Sequence, residues 1–166
     1  MSPSLSLSPS ETGYSTLQKR LHWAVVGLLF CQYFVFDGMG RPFHGLMDSG
    51  VATYDVTSVL HIGIGILILG AVMVRLALRL RLGTPGPVAG EPEIFQTAAR
   101  YAHIAMYALL LLLPVTGLVA WFLQVGAAAE LHEILKTLLM ILVIMHVAAV
   151  ALHQLVWKTG VLHRMI

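Results

Sequence analysis

Long apolar runs, separated by short polar or glycine-rich segments, dominate this chain. A helix needs about 20 mostly apolar residues to cross a bilayer, and it satisfies its own backbone hydrogen bonds there. The pattern predicts four membrane-spanning helices, at residues 15–36, 56–80, 97–123 and 129–158. The predicted fold is therefore an all-α, integral membrane four-helix bundle.

The segments between these runs carry helix-start and loop signals. Ser15 and Gln18 have the S-x-x-Q arrangement of a capping box, which would start the first helix. Residues 37–54 contain four glycines and a proline and are predicted to form a loop, and residues 82–92 are predicted to form a connector. Residues 1–14 are rich in serine and proline and are predicted to be a disordered tail, leaving residues 15–166 as one domain.

Composition supports the membrane assignment. Of the 166 residues, 58% are hydrophobic and 11% are charged, whereas soluble domains are about 25% charged. Cys31 is the only cysteine, so an internal disulfide and a C-x-x-C-H site for covalent c-type haem are both excluded. We expect the lipid bilayer as surroundings and no nucleic-acid partner.

Basic residues are unevenly distributed between the two predicted sides of the membrane. Only Arg41 and Lys136 lie on one side, where the charges sum to −3; the other side sums to +5. Because basic residues favour the cytoplasmic side, both termini are predicted to be cytoplasmic. The cytoplasmic set consists of Lys19, Arg20, Arg75, Arg79, Arg81, Arg100, Lys158 and Arg164.

Two histidines on the last predicted helix mark two depths in the membrane. His132 and His146 are fourteen residues apart, which is about 21 Å along a helix and returns the side chain to within roughly 40° of the same face. Ionisable groups inside a bilayer are costly and are usually functional. One helix therefore presents imidazoles to an outer and an inner layer.

Other helices supply a partner for each of these histidines. With alternating helix directions, His61 falls at the outer depth of His132, and His22 falls at the inner depth of His146. Two separate two-histidine layers favour bis-histidine haem, since haem supplies four nitrogens and needs only axial ligands. Structural zinc, the main rival, prefers four clustered ligands, and any single histidine can instead be an interfacial polar residue.

Three further residues are candidates near the inner layer. Arg75 is fourteen residues after His61, so it reaches inner depth on the same face and is predicted to neutralise a haem propionate. His103 begins the third span and is a candidate for a propionate contact or a quinone or proton site. His153, seven residues beyond His146, is a candidate for a quinone headgroup or proton relay, whereas His44 and His163 are expected to be solvated.

Several segments together resemble the bacterial cytochrome b561 family, small four-helix di-haem proteins of the inner membrane. They are LHW at His22, HIGIGILILGAVMVRLALRL from His61, AHIAMYALLLLLPVTGL from His103, LHEIL at His132 and MHVAAVALHQLVWKTGVLHRM from His146. The resemblance implies two b haems on His22, His61, His132 and His146, a multi-pass protein of the bacterial inner membrane, and electron transfer between the ubiquinone pool and a periplasmic redox partner.

Two alternatives stay open at this stage. One branch of the family is similar to superoxide oxidases, which would pass electrons from periplasmic superoxide to ubiquinone. The negative outer loops disfavour steering of an anion, although Lys136 could supply a local positive spot. The other alternative is a cytochrome b anchor subunit of a larger dehydrogenase, for which the short connectors offer little docking surface.

Overall fold

The computed structural model describes residues 13–86 and 92–166. Within those residues the chain is helical and contains no β-strand. The helices are α1 (Thr16–Phe30), α2 (Gly40–Ser49), α3 (Val56–Leu82), α4 (Glu93–Leu123) and α5 (Gly126–Leu155), followed by a 3-10 turn (Leu162–Arg164). The predicted tail lies outside the described residues except for its last two, as does part of the predicted connector.

The predicted start of the first helix is confirmed. The backbone N–H of Gln18 donates to Ser15 Oγ, and the backbone N–H of Ser15 donates to Gln18 Oε1, which together form a capping box. After Phe30 the helix widens into a single π-helical turn over Cys31–Val35. Such turns are frequent at functional sites, because they shift the side chains that follow.

The prediction of a loop over residues 37–54 is wrong for its central part, which forms α2. This helix is amphipathic, with Leu46 only 1% exposed and Pro42 buried. Proline is tolerated there because the first helical turn needs no intrahelical N–H bond. Gly50, with φ of 69°, ends the helix in the left-handed conformation. Burial of one apolar face therefore outweighs the glycine content.

The other predicted boundaries shift by a few residues. The second predicted span ends at Leu82, and the third begins at Glu93 instead of residue 97. The fourth covers Gly126–Leu155 instead of 129–158. A two-residue link is enough to reverse the chain between α4 and α5, because Gln124 adopts the left-handed conformation with φ of 54°.

Three helices, α3, α4 and α5, are long and apolar enough to cross a membrane. The stretch Thr16–Val35 is long and apolar enough to cross a membrane only when helix α2 is counted with it. The chain bends by 69° between the two. The protein is therefore an all-helical membrane protein with three long spans in the described residues, and a fourth span arises when the bent pair is counted as one.

Contacts at its two ends define the bundle. At one end, called the terminal end below, the start of α1 meets the last residues of the chain. Lys19 Nζ donates to the Ile166 carbonyl at 2.7 Å, and Trp23 Nε1 donates to the Met165 carbonyl at 2.9 Å. The α3–α4 connection reaches the same end, since Arg164 donates to the Gly86 carbonyl. At the opposite end, called the loop end below, Tyr33 Oη on the π turn donates to the Lys136 carbonyl on α5. The start of α1 and the last residues of the chain therefore lie at the same end of the bundle.

A small apolar core joins the helices between these ends. Val25 on α1 packs with Ile68 and Val72 on α3. Tyr107 and Leu110 on α4 pack against this group. Histidines occupy the layers on either side of the core, so the core separates the two candidate sites.

Candidate haem centres

The loop end brings His61 on α3 and His132 on α5 face to face. Their ring centres are 6.4 Å apart, with the planes inclined by 56°. A histidine nitrogen binds a metal at about 2 Å, and the ring centre lies about 1 Å behind it, so two imidazoles on opposite sides of one metal have centres roughly 6 Å apart. The separation in this pair fits a single iron between the rings.

Backbone carbonyls fix the orientation of both rings. His61 Nδ1 donates to the Phe36 carbonyl at 3.0 Å, and His132 Nδ1 donates to the Leu113 carbonyl at 2.9 Å. A carbonyl only accepts, so each bond requires the proton on Nδ1 and leaves the Nε2 lone pair available for a metal. This is the usual outer-shell arrangement of a metal-ligating histidine.

A mostly apolar cavity of about 510 Å³ surrounds this pair and is called the loop-end cavity below. Among its lining residues are His61, His132, Gly65, Gly117 and Trp121. Its volume is typical of a site for a small organic cofactor. Gly65 and Gly117 add no side chains to its lining, so that Gln32 lies against Gly65 and the His132 ring against Gly117.

Gln32 is a functional candidate that sequence reasoning missed. It lies on the π turn, lines the loop-end cavity, and donates from Nε2 to the His61 carbonyl at 3.0 Å. Its Oε1 is buried and has no hydrogen-bond partner in the described part of the chain. The only signal in the sequence is an amide inside the apolar run LLFCQYFV.

Nearer the terminal end the structure brings His103, predicted to lie near the inner layer, against His146. The rings of His103 on α4 and His146 on α5 meet edge to face, with centres 5.4 Å apart and planes at 81°. His22 on α1 lies within electrostatic range of both. His103 Nδ1 is held by the Ala99 carbonyl at 2.6 Å. The ring contact thus joins His146 to His103, and the pairing of His146 with His22 stays a prediction.

Arginines accompany this inner layer. Arg75 Nη1 donates to the carbonyl of buried Gln18 at 3.0 Å, and Arg75 also lies within electrostatic range of His22. The Arg79 guanidinium is 5.7 Å from the centre of the Tyr107 ring. Among the described residues neither arginine forms an ion pair. The layer thus carries positive charge suited to an acidic group.

Tyr14, just before α1, belongs to the same positive region. Burial raises the pKa of the Tyr14 phenol, and the nearby Arg79 partly opposes that rise. The hydroxyl therefore stays protonated at neutral pH and remains a hydrogen-bond donor at this end of the bundle.

His153 and His44 each have local partners. His153 Nδ1 bonds Thr159 Oγ1 at 3.0 Å, and its ring meets Trp157 edge to face with centres 4.6 Å apart. His44 is exposed, as expected, and its Nδ1 donates to the Gly40 carbonyl at 2.7 Å. It also lines the loop-end cavity, which places it at the rim of that cavity.

Lys136 does not provide a free positive charge at the loop end. Its Nζ lies 3.4 Å from an Asp37 carboxylate oxygen and 2.8 Å from Glu133 Oε2. Two carboxylates thus offset one ammonium. The local positive spot expected from the sequence is cancelled by its neighbours.

The number of side chains that converge distinguishes a haem site from a site in which side chains alone hold a metal ion. Across residues 13–86 and 92–166, no group of three or more histidine, cysteine, aspartate or glutamate side chains converges in a way that could hold a metal ion. A structural zinc site needs such a group, whereas haem iron needs only two axial ligands. The histidines therefore fit haem better than zinc.

Comparisons with known proteins agree with this geometry. The family model described as prokaryotic cytochrome b561 matches residues 13–166. Cytochrome b562 of Cereibacter sphaeroides is 32% identical over 157 residues, covering 93% of this chain and 96% of that protein. The match spans every described helix, including all the candidate histidines. The chain therefore belongs to the prokaryotic cytochrome b561 family.

Proposed function

We propose that this protein is a membrane-bound di-haem b-type cytochrome. It carries electrons across the bacterial inner membrane between a periplasmic redox partner and the ubiquinone pool. Family membership supports a membrane cytochrome b. The observation that carries the di-haem proposal is the presence of two histidine layers on opposite sides of one apolar core.

The loop-end layer is the proposed outer haem site. His61 and His132 would hold this haem, and the carbonyls of Phe36 and Leu113 fix the orientations of their rings. Haem b supplies a one-electron iron centre when bound. Two imidazole ligands would leave no place for a substrate at the metal, which favours electron transfer over substrate chemistry there.

The layer nearer the terminal end is the proposed inner haem site. His22 and His146 are its proposed ligands, following the positions that the family resemblance implies. Arg75, fixed by the Gln18 carbonyl, is the proposed propionate partner. His103 lies against His146 and is placed beside the ligands, where it adds a polar contact to the cofactor.

The terminal end is the proposed cytoplasmic side. The last turn of α3 carries Arg79 and Arg81, and the chain termini add Lys19 and Arg164 at the same end. Positive charge on this side agrees with the rule that basic residues stay inside. Ubiquinone is proposed to react here, near His103 or His153.

Two other functions fit the chain less well. A superoxide:ubiquinone oxidoreductase needs a positive entrance for an anion, but the Lys136 charge is offset by Asp37 and Glu133. An anchor subunit of a larger dehydrogenase needs a broad docking area on the connections between helices. The α4–α5 connection has only two residues outside helices, which leaves the longer α2 segment to provide such an area.

Haem stoichiometry and spectrum test the proposal directly. Purified protein is expected to bind two haems per chain and to give a low-spin, six-coordinate b-type spectrum. A single haem, or a high-spin spectrum in the intact protein, would contradict the two-layer proposal. Stopped-flow mixing with superoxide tests the alternative, because a superoxide oxidase should be reduced at near diffusion-limited rates that depend on ionic strength.

A further inference from the structure

An aromatic pair links the surface of the loop end to the loop-end cavity. Trp121 is 4% exposed and lines the cavity that contains His61 and His132. Its indole Nε1 donates to Tyr54 Oη at 3.5 Å, and the two rings meet edge to face with centres 5.8 Å apart. Tyr54 itself is 58% exposed. A molecule resting on Tyr54 is thus separated from the cavity by one buried tryptophan.

Apolar side chains accompany Tyr54 on this face. Met47, at the end of α2, is 44% exposed, and its Cε lies 3.9 Å from the position of a Cβ on Gly126. Val51, between Met47 and Tyr54 in sequence, is 64% exposed. Tyrosine and methionine are enriched at protein interfaces. The face therefore has the aromatic and apolar centre that a transient protein contact uses.

Negative charge borders this apolar centre. Asp48 adjoins Met47, Asp55 adjoins Tyr54, and Glu130 lines the cavity; all three carboxylates are exposed. Of the two basic residues on this side, Lys136 is already paired with Asp37 and Glu133, and Arg41 is exposed, so the three carboxylates and Arg41 together carry a charge of −2. A border with net negative charge attracts a cationic partner and repels superoxide and anionic lipid headgroups alike.

We propose that this face is the docking surface for a positively charged soluble redox protein, with Tyr54 at the centre of contact. The proposal rests on the proposed electron-transfer function and adds the partner's class. On docking, one electron leaves the reduced metal centre of one protein and enters the oxidised metal centre of the other. No atom or proton is exchanged.

Binding to a cationic probe tests this surface without relying on activity. The haem-loaded protein is placed in nanodiscs of zwitterionic lipid, and its Kd for horse heart cytochrome c is measured. Succinylated cytochrome c, in which lysine charges are reversed, is the matched probe, and empty nanodiscs are the blank. We expect binding to the native probe only, weakening about tenfold or more between about 20 mM and 200 mM salt as charges are screened.

Three variants locate the contact. The double variant Asp48→Lys with Glu130→Lys should weaken binding by about tenfold or more, since rim charges steer association. Tyr54→Ala should weaken it by at least about fivefold, as expected for a central interface residue. Glu93→Lys, a charge reversal at the terminal end, is the control and should leave Kd unchanged.

Each outcome decides between specific possibilities. Equal binding of native and succinylated probes, or equal Kd values for the double variant and Glu93→Lys, would overturn the proposal. Absence of binding by a protein with two haems would overturn this proposal alone. A protein without two haems would instead count against the proposed function, so the two failures are distinguishable. Haem content of each variant shows that it has folded.

Discussion

Gly117 on α4 lies directly against the ring of His132 on α5. A Cβ at Gly117 would lie 3.0 Å from His132 Cε1 and 3.1 Å from its Nδ1. The ring has little freedom to retreat, because Nδ1 is bonded to the Leu113 carbonyl and lies 3.3 Å from Thr116 Oγ1. The absence of a side chain at Gly117 thus leaves room for His132, a proposed haem ligand, on the next helix.

Gly117→Ala is expected to weaken the outer haem site. The added methyl group must displace the His132 ring or strain its carbonyl bond, and loss of such outer-shell order typically reduces metal affinity about tenfold or more. Haem release to apomyoglobin measures the effect. Gly70→Ala is the control, since a Cβ there meets nothing within 4 Å. Equal haem retention in both variants would show that the contact is unimportant.

Single alanine replacements of the histidines should divide them into two pairs. His61→Ala and His132→Ala are expected to lose the same haem, and His22→Ala and His146→Ala the other, leaving about one haem per chain in each case. The pyridine haemochrome assay and the redox titration count the haems and identify which one is missing.

His103→Ala serves to discriminate between the candidate inner ligands. It is expected to keep both haems, because His103 lies beside the proposed ligands, and the exposed His163→Ala is the control. Loss of a haem from His103→Ala with retention in His22→Ala would instead assign His103 as the axial partner of His146, a result that their ring contact makes worth testing.

Arg75→Gln should lower the midpoint potential of the inner haem. Removing a nearby positive charge favours the more positive ferric state, and a charge at intermediate distance is worth on the order of tens of mV. Arg75→Lys keeps the charge and should shift the potential less. Arg100→Gln, an exposed site on α4, is the control. A shift confined to the outer haem would contradict the assignment of Arg75 to the inner layer.

Asp55 should make the start of α3 sensitive to acid. Hydrogen bonds from the Ser58 backbone and side chain hold the pKa of Asp55 below its ordinary value of 3.8. The cap therefore contributes its full stability above pH 3.8 and loses it as the pH falls through the folded-state pKa.

Thermal unfolding in detergent, followed by circular dichroism, measures this effect. Asp55→Ala should lower Tm at neutral pH because the cap is lost. Asp55→Asn should keep most of Tm at neutral pH and remove the acid-dependent part. An unchanged acid dependence in Asp55→Asn would show that another carboxylate is responsible.

Apolar run length determined the helices, and local signals such as Ser15 and Gln18 determined where α1 begins. The fourteen-residue interval between His132 and His146 gave two depths, because helical geometry converts residue number into distance. Depth alone also identified His61 as the neighbour of His132, since alternating spans fix which ends meet. These features depend on local geometry and hydropathy, which a single sequence contains.

Only the tertiary structure decided how each helix is rotated about its own axis and how closely it packs against its neighbours. Nothing in the sequence shows that His103 turns towards His146, that Gly117 makes room for His132, or that Asp37 and Glu133 pair with Lys136. Each depends on how far two helices rotate and how closely they pack, which is set by many contacts between distant segments. The amphipathic helix α2 is a similar case. Its glycines favoured a loop in the sequence analysis. In the folded bundle Leu46 is buried, and this burial stabilises the helix.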